Sequence, residues 1–183
     1  MRWCRRNLLA TLLALGVAPV MAQPPGIGGP FSLLDGKGET ITNESFQGRF
    51  LLVFFGYTNC PDECPAVMYK IAQALALLGA TPARLQAVFI TIDPTRDTPD
   101  LASRYAALFS PDIMELSGTP DAIKQVIAEY HVDVGAPDAQ SGAIAHSALL
   151  YLTGPDGHFI EAFPSNTSPA MLATKLGAAM AGS

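Results

Sequence analysis

The chain is predicted to be an α/β domain, a mixed central sheet flanked by helices with a β-hairpin in front. Three observations predict this. Two near-continuous apolar runs, Phe50 to Tyr57 and Leu85 to Ile92, have the composition of strands covered on both faces. Three helix starts share one form: Thr98-Pro99-Asp100, Thr119-Pro120-Asp121 and Ser168-Pro169 each put a capping hydroxyl before a proline. Two turn signals, Asp35-Gly36-Lys37-Gly38 and Gly154-Pro155-Asp156-Gly157, each separate a pair of short β-type segments.

Taken in order, Gln23 to Pro30 reads as a disordered lead-in, rich in Pro and Gly. Phe31 to Leu34 and Glu39 to Thr42 form the first hairpin. Phe50 to Tyr57 is the central strand. Pro65 to Leu78 carries helical periodicity through Met68, Ile71, Leu75 and Leu78 and stops at Gly79. Leu85 to Ile92 is the second buried strand, and a helix runs from Thr98 to about Leu108. Ile113 to Leu116 is a short strand, followed by a helix from Thr119 to Tyr130. Gly135 to Ala143 reads as a polar loop. Ala145 to Leu152 and His158 to Phe163 make the second hairpin, and Ser168-Pro169 opens the last helix. Strand, helix, strand, then hairpin and helix is the order of a thioredoxin-like fold. In such a sheet, sites gather at the carboxyl ends of the parallel strands.

The first 22 residues read as a signal peptide. Arg2, Arg5 and Arg6 form a basic start, Leu8 to Val20 an apolar stretch, and Val20-Met21-Ala22 a cleavage signal before Gln23. The apolar stretch is short for a membrane span; an uncleaved N-terminal anchor is the alternative. Residues 23–183 are then expected to form one domain. Removing the leader leaves 8 basic against 16 acidic residues, a net −8. That balance argues against nucleic acid as a partner and permits a basic protein or metal cations. Cleavage also discards Cys4 and leaves one thiol pair, Cys60 and Cys64. In an oxidising compartment two thiols this close tend to pair unless a metal or reductant intervenes. A disulfide closing so short a loop would add little stability, so the pair points to chemistry.

Gly56-Tyr57-Thr58-Asn59-Cys60-Pro61-Asp62-Glu63-Cys64-Pro65 places these thiols after the central strand and at the mouth of a helix. The helix dipole and free N–H groups there favour the thiolate, and the i, i+4 spacing puts both sulfurs on one helical face. A redox dithiol normally has two residues between its cysteines and a proline facing them at the start of a later strand. Here three residues intervene, and the strand begins Ile144-Ala145-His146-Ser147, with a histidine near the expected place. Two thiolates and one imidazole suit copper, Cu(I) through soft sulfur and Cu(II) through the added nitrogen. Zinc would want a fourth strong ligand. His131, after a helix end, and His158, after a turn, read as structural or solvated. Met68 reads as core filling. Asp62 and Glu63 either cap the helix or attract a cation.

These motifs, with Asp93-Pro94-Thr95-Arg96-Asp97-Thr98-Pro99, His146-Ser147, Tyr151-Leu152 and Gly154-Pro155-Asp156-Gly157, resemble the Sco/SenC family. The resemblance runs from about Phe31 to Phe163. It implies a thioredoxin-like, copper-binding protein that assists cytochrome c oxidase assembly in the periplasm, soluble or tethered through its N-terminus. It implies Cys60, Cys64 and His146 as ligands of one copper per monomer, with Cys60 and Cys64 also a redox pair able to form a disulfide. The implied partner is cytochrome c oxidase subunit II, with another periplasmic copper chaperone and a thioredoxin-like reductant upstream. The family is described as a copper donor and as a thiol reductase for the oxidase's dinuclear copper site, and both readings stay open. The family often has Asp before the histidine; here it is Ala145. The Asp93 to Pro99 segment reads as scaffold, with Arg96 and Asp97 pairing with each other or with neighbours and Asp93 an outer contact.

Overall fold

The computed structural model describes residues 26–61, 63–79 and 83–182. The leader peptide and its cleavage point lie outside these residues. Among the described residues no helix is long and apolar enough to cross a membrane.

The apolar runs form the centre of the sheet. Strands β3 (Phe50–Gly56) and β4 (Leu85–Thr91) are buried at all seven positions each. Each large apolar side chain buried this way contributes about 1.5–3 kcal/mol, so these two strands dominate the core. They pair in parallel, Phe54 opposite Phe89, and β5 (Ile113–Leu116) pairs in parallel with β4. Strand β8 (Leu149–Thr153) runs antiparallel on the other side of β3, and β9 (Phe159–Pro164) antiparallel to β8. The order β5-β4-β3-β8-β9 is the mixed sheet of a thioredoxin-like fold. The N-terminal hairpin, β1 (Ser32–Leu34) with β2 (Thr40–Thr42), forms its own ladder and is tied to the end of β5 by the paired hydrogen bonds of Leu34 and Ser117. The Asp35 carboxylate closes its turn by accepting from the N–H groups of Lys37 and Glu39. A short 3-10 turn over Asn43–Phe46 follows.

Helices α2 (Pro99–Ala107), α3 (Pro120–Glu129) and α4 (Pro169–Ala181) each begin with the hydroxyl cap and first-turn proline. Thr98, Thr119 and Ser168 accept from the N–H groups of Leu101, Ala122 and Met171. Helix α1 spans Glu63–Leu78 and packs against α4. Strand alternation sends side chains to two layers. Phe54 and Phe89 face α1 and α2, where Phe89 meets Tyr105. Phe55 and Tyr151 face the end of α3, where both meet Tyr130.

Three expectations are corrected. The lead-in is docked from Ile27, which packs against the core, with Gly28 N–H donating to the Glu129 carbonyl at 2.8 Å. The segment read as a loop after Gly135 contains β6 (Val134–Pro137), which pairs antiparallel with β7 (Ile144–His146) around a tight turn. The single strand expected over Ala145 to Leu152 is therefore two, β7 in the small hairpin and β8 in the main sheet. Strand β6 is mostly exposed and carries Gly135 and Pro137, so neither alternation nor β propensity marks it. Its register comes from the turn, where the Asp138 carboxylate accepts from Gln140 N–H, Ser141 N–H and the Ser141 hydroxyl.

Candidate metal centre

Strand β3 ends at Gly56, and Tyr57 to Pro61 forms a loop at the carboxyl edge of the sheet. Because α1 begins at Glu63, Cys60 lies in the loop and Cys64 in the first helical turn. The two sulfurs do not share one helical face as the spacing predicted. Instead Cys64 N–H donates to Cys60 Sγ at 3.3 Å, so Cys60 satisfies one of the free N–H groups at the helix start. Both cysteines are free thiols; Cys60 is half-buried and Cys64 buried. Glu63 accepts from the Ser165 hydroxyl at 3.0 Å, which ties the helix start to the loop before α4. Asp62 lies outside the described residues.

The loop is held from below by Asp97, a fully buried carboxylate. It accepts from Thr58 N–H at 2.9 Å, from the Thr58 hydroxyl at 2.5 Å and from the Thr91 hydroxyl at 2.6 Å. Its backbone carbonyl takes the Ser117 hydroxyl. These bonds join the thiol loop to the ends of β4 and β5. Arg96, the other expected partner of Asp97, pairs with Asp93 instead. A carboxylate with three donors tolerates burial that a free one would not. Nothing in the local sequence separates Asp97 from the exposed acids nearby; only the fold brings Thr58 and Thr91 to it.

His146 arrives from the opposite side, as the last residue of β7 before the chain crosses to β8. Its Nε2 lies 3.7 Å from Cys64 Sγ, although 82 residues separate them in sequence. Its Nδ1 lies 3.0 Å from the Ser147 carbonyl. A carbonyl only accepts, so Nδ1 carries a proton, and Nε2 is the nitrogen that faces the sulfur. The ring packs edge-on against Tyr57 and lies near Phe54, with centroids 6.2 and 6.4 Å away.

The electrostatics correct the expectation for Cys64. Burial pushes its thiol well above the usual range, and the Cys60 and Glu63 charges push the same way. Helix-end attraction, about 0.3–1 kcal/mol near a surface, loses to desolvation. Burial therefore disfavours the thiolate of Cys64. His146 Nε2, 3.7 Å away, is the nitrogen nearest to this sulfur, and a thiol must lose its proton before it can act as a metal ligand.

Met68 is fully buried in the core. His131 takes a positive φ of 52° after α3, as helix-terminating residues do, and His158 is exposed in the turn before β9. Among the described residues no three Cys, His, Asp or Glu side chains have closed into a metal-holding group. Cys64 and His146 stand together, while Cys60 Sγ is engaged with Cys64 N–H. The donor set nevertheless fits a soft ion. Cys64 and His146, with Cys60 beside them, are the residues that could hold it, two sulfurs and one nitrogen being a donor set that soft ions favour.

The SCO1/SenC family profile matches residues 20–181. The mitochondrial Protein SCO1 homolog of Homo sapiens is 37% identical over 157 residues, 83% of this chain and 52% of that protein. Protein sco1 of Schizosaccharomyces pombe is 35% identical over 84% of this chain and 60% of that protein. The chain thus spans little more than half the length of these relatives. The crystal structure of Arabidopsis thaliana ScoI with copper bound superposes with a TM-score of 0.81 at 30% identity, over 86% of this chain and all of that one. Bradyrhizobium japonicum ScoI with copper bound gives 0.76 at 38% identity, over 82% and 98%. By the extent of the profile match and the identity to these relatives, the chain belongs to the SCO1/SenC family.

Proposed function

We propose that this protein is a periplasmic copper metallochaperone, an assembly factor and not a turnover enzyme. It binds one copper per monomer through Cys60, Cys64 and His146 and helps build the dinuclear copper site of cytochrome c oxidase subunit II. The observation that carries this reading is the approach of His146 Nε2 to Cys64 Sγ at 3.7 Å, with Nδ1 occupied by the Ser147 carbonyl. Its support is the family membership and the copper in the two ScoI structures. Two thiolates hold Cu(I), and the imidazole makes Cu(II) acceptable as well.

A second reading, a thiol–disulfide oxidoreductase that reduces the cysteines of the oxidase copper site, is favoured by the unequal exposure of the free thiols. Cys60 is reachable and Cys64 is buried behind it. His146→Ala separates the two, because disulfide exchange needs only the sulfurs and their thiolate fraction. Under the chaperone reading it weakens Cu(II) more than Cu(I), loses the sulfur-to-copper charge-transfer band and abolishes oxidase maturation, while the thiol pair still exchanges with a small dithiol. Full oxidase activity in cells carrying only His146→Ala would reject the chaperone reading and favour the reductase.

A further inference from the structure

His146 is carried by a two-stranded hairpin that shares no sheet with the thiol loop. Such a hairpin is marginally stable alone, so its placement depends on what ties it down. On the site side, two groups do so. Arg96, in the segment between β4 and α2, pairs with Asp93 and donates from Nη2 to the Gly142 carbonyl at 3.0 Å, in the turn between β6 and β7. Its guanidinium also lies over the Tyr57 ring, 5.8 Å from the centroid. Tyr57 in turn accepts Ile144 N–H on its hydroxyl at 3.0 Å, two residues before His146, and packs its ring edge-on against the imidazole. The turn closes tightly on the arginine. Gly142 has φ +69°, and a Cβ there would lie 3.1 Å from Arg96 Nη1.

We infer that Arg96 and Tyr57 form a clamp that seats the β6–β7 hairpin and so sets the position of His146 against Cys64. Arg96 is a positioning residue: it touches neither sulfur nor imidazole, and acts through Tyr57 and Gly142. The role needs a planar fork. One guanidinium edge meets Asp93, a second nitrogen meets the carbonyl, and the flat face covers the ring, which the point charge of lysine cannot do together. Tyr57 needs both of its parts, hydroxyl for Ile144 and ring for His146. The consequence for copper rests on the ligand assignment proposed above; the clamp itself does not.

The test uses the mature chain, metal-free and reduced, as wild type, Arg96→Lys and Tyr57→Phe. Its readouts are the nitrogen chemical shifts of the His146 ring and the hydrogen exchange of the Ile144 amide. Each hydrogen bond lost from the clamp is expected to speed Ile144 exchange by about tenfold. The ring shifts should move toward an averaged pair of tautomers in both variants, with global unfolding of Arg96→Lys close to wild type. Cu(II) titration of the same proteins should show weaker binding in both. Wild-type ring shifts and Ile144 exchange in both variants would overturn the clamp. Should wild type itself take up no Cu(II) while the metal-free readouts move as expected, the clamp stands and the copper reading falls.

Discussion

Replacing Gly56 by alanine probes how closely the buried thiol sits against the sheet. Gly56 ends β3, opposite Thr91, on the layer that faces α1. A Cβ built there would lie 2.9 Å from Phe89 Cε2, 3.0 Å from Cys64 Sγ and 3.3 Å from Phe54 Cε1. Comfortable separations between such atoms are about 3.5–4.0 Å, so the sulfur must retreat by about 0.5 Å or the rings must turn in a filled core. Overpacking of this kind costs about 1–3 kcal/mol. Alanine also restricts the unfolded chain, which returns about 0.4–1 kcal/mol. The steric cost wins, because all three neighbours are too close and two are core rings. The net loss is about 1–2 kcal/mol, so at about 2–4 °C per kcal/mol for a domain of this size Tm should fall by about 2–8 °C. Gly177→Ala is the control. Its Cβ meets only Leu78 Cδ2 at 3.5 Å, and in helix α4 it should stabilise by about 0.5–1 kcal/mol. Thermal unfolding followed by circular dichroism measures both, and Cu(II) titration of Gly56→Ala reports the displaced sulfur. A Gly56→Ala protein with wild-type Tm and wild-type Cu(II) spectrum would refute the argument.

Removing the carboxylate beneath the thiol loop by Asp97→Ala strands the Thr58 N–H and two threonine hydroxyls, and should cost about 3–5 kcal/mol in urea unfolding; a loss under 1 kcal/mol would mean the loop is held by other contacts. Glu115 is buried on β5, and burial holds its carboxyl above the usual range. The folded protein therefore binds its proton more tightly than the unfolded chain does. The resulting stability is complete below the unfolded value of about 4.3 and is lost as pH rises through the folded one. Glu115→Gln should accordingly be more stable than wild type at pH 7, with the difference shrinking as pH falls toward 4; a constant difference across urea curves at several pH values would contradict this. Metal-free protein held in air should form the Cys60–Cys64 disulfide and then take up no Cu(II) through sulfur, as alkylation with mass spectrometry and copper titration would show. Stoichiometric uptake by fully oxidised protein with a sulfur charge-transfer band would be the contrary result.

The residues that meet at the candidate site, Cys60, Cys64 and His146, are legible in the sequence. Cys60 and Cys64 stand out because few other features explain two thiols between a buried strand and a helix. His146 stands out because strand order carries it back to that edge. The Asp93 to Pro99 segment reads as scaffold from its caps and charges, yet its pairing pattern was not legible. Arg96 and Asp97 are neighbours in sequence, and one points to Asp93 and the hairpin turn while the other is buried under the thiol loop. Backbone direction decides that, and sequence adjacency does not.

By itself the sequence determined the elements whose cause is local. The buried runs become β3 and β4 because their residues are almost all apolar; the two polar ones in β4 are covered with partners, Gln86 donating to the Ala87 and Asp112 carbonyls and Thr91 to Asp97. Helices α2, α3 and α4 begin where a hydroxyl and a proline satisfy and preset the first turn. Tertiary structure alone decided whatever depends on residues far apart. Strand β6 exists because Val134 finds His146, and Gly56 matters because Cys64 Sγ arrives above it. The upward push on the Cys64 thiol is of the same kind. The helix start favouring a thiolate is written in ten residues, but the desolvation that outweighs it comes from the burial of the sulfur against Gly56 at the end of β3, and a charge's cost is set by everything around it.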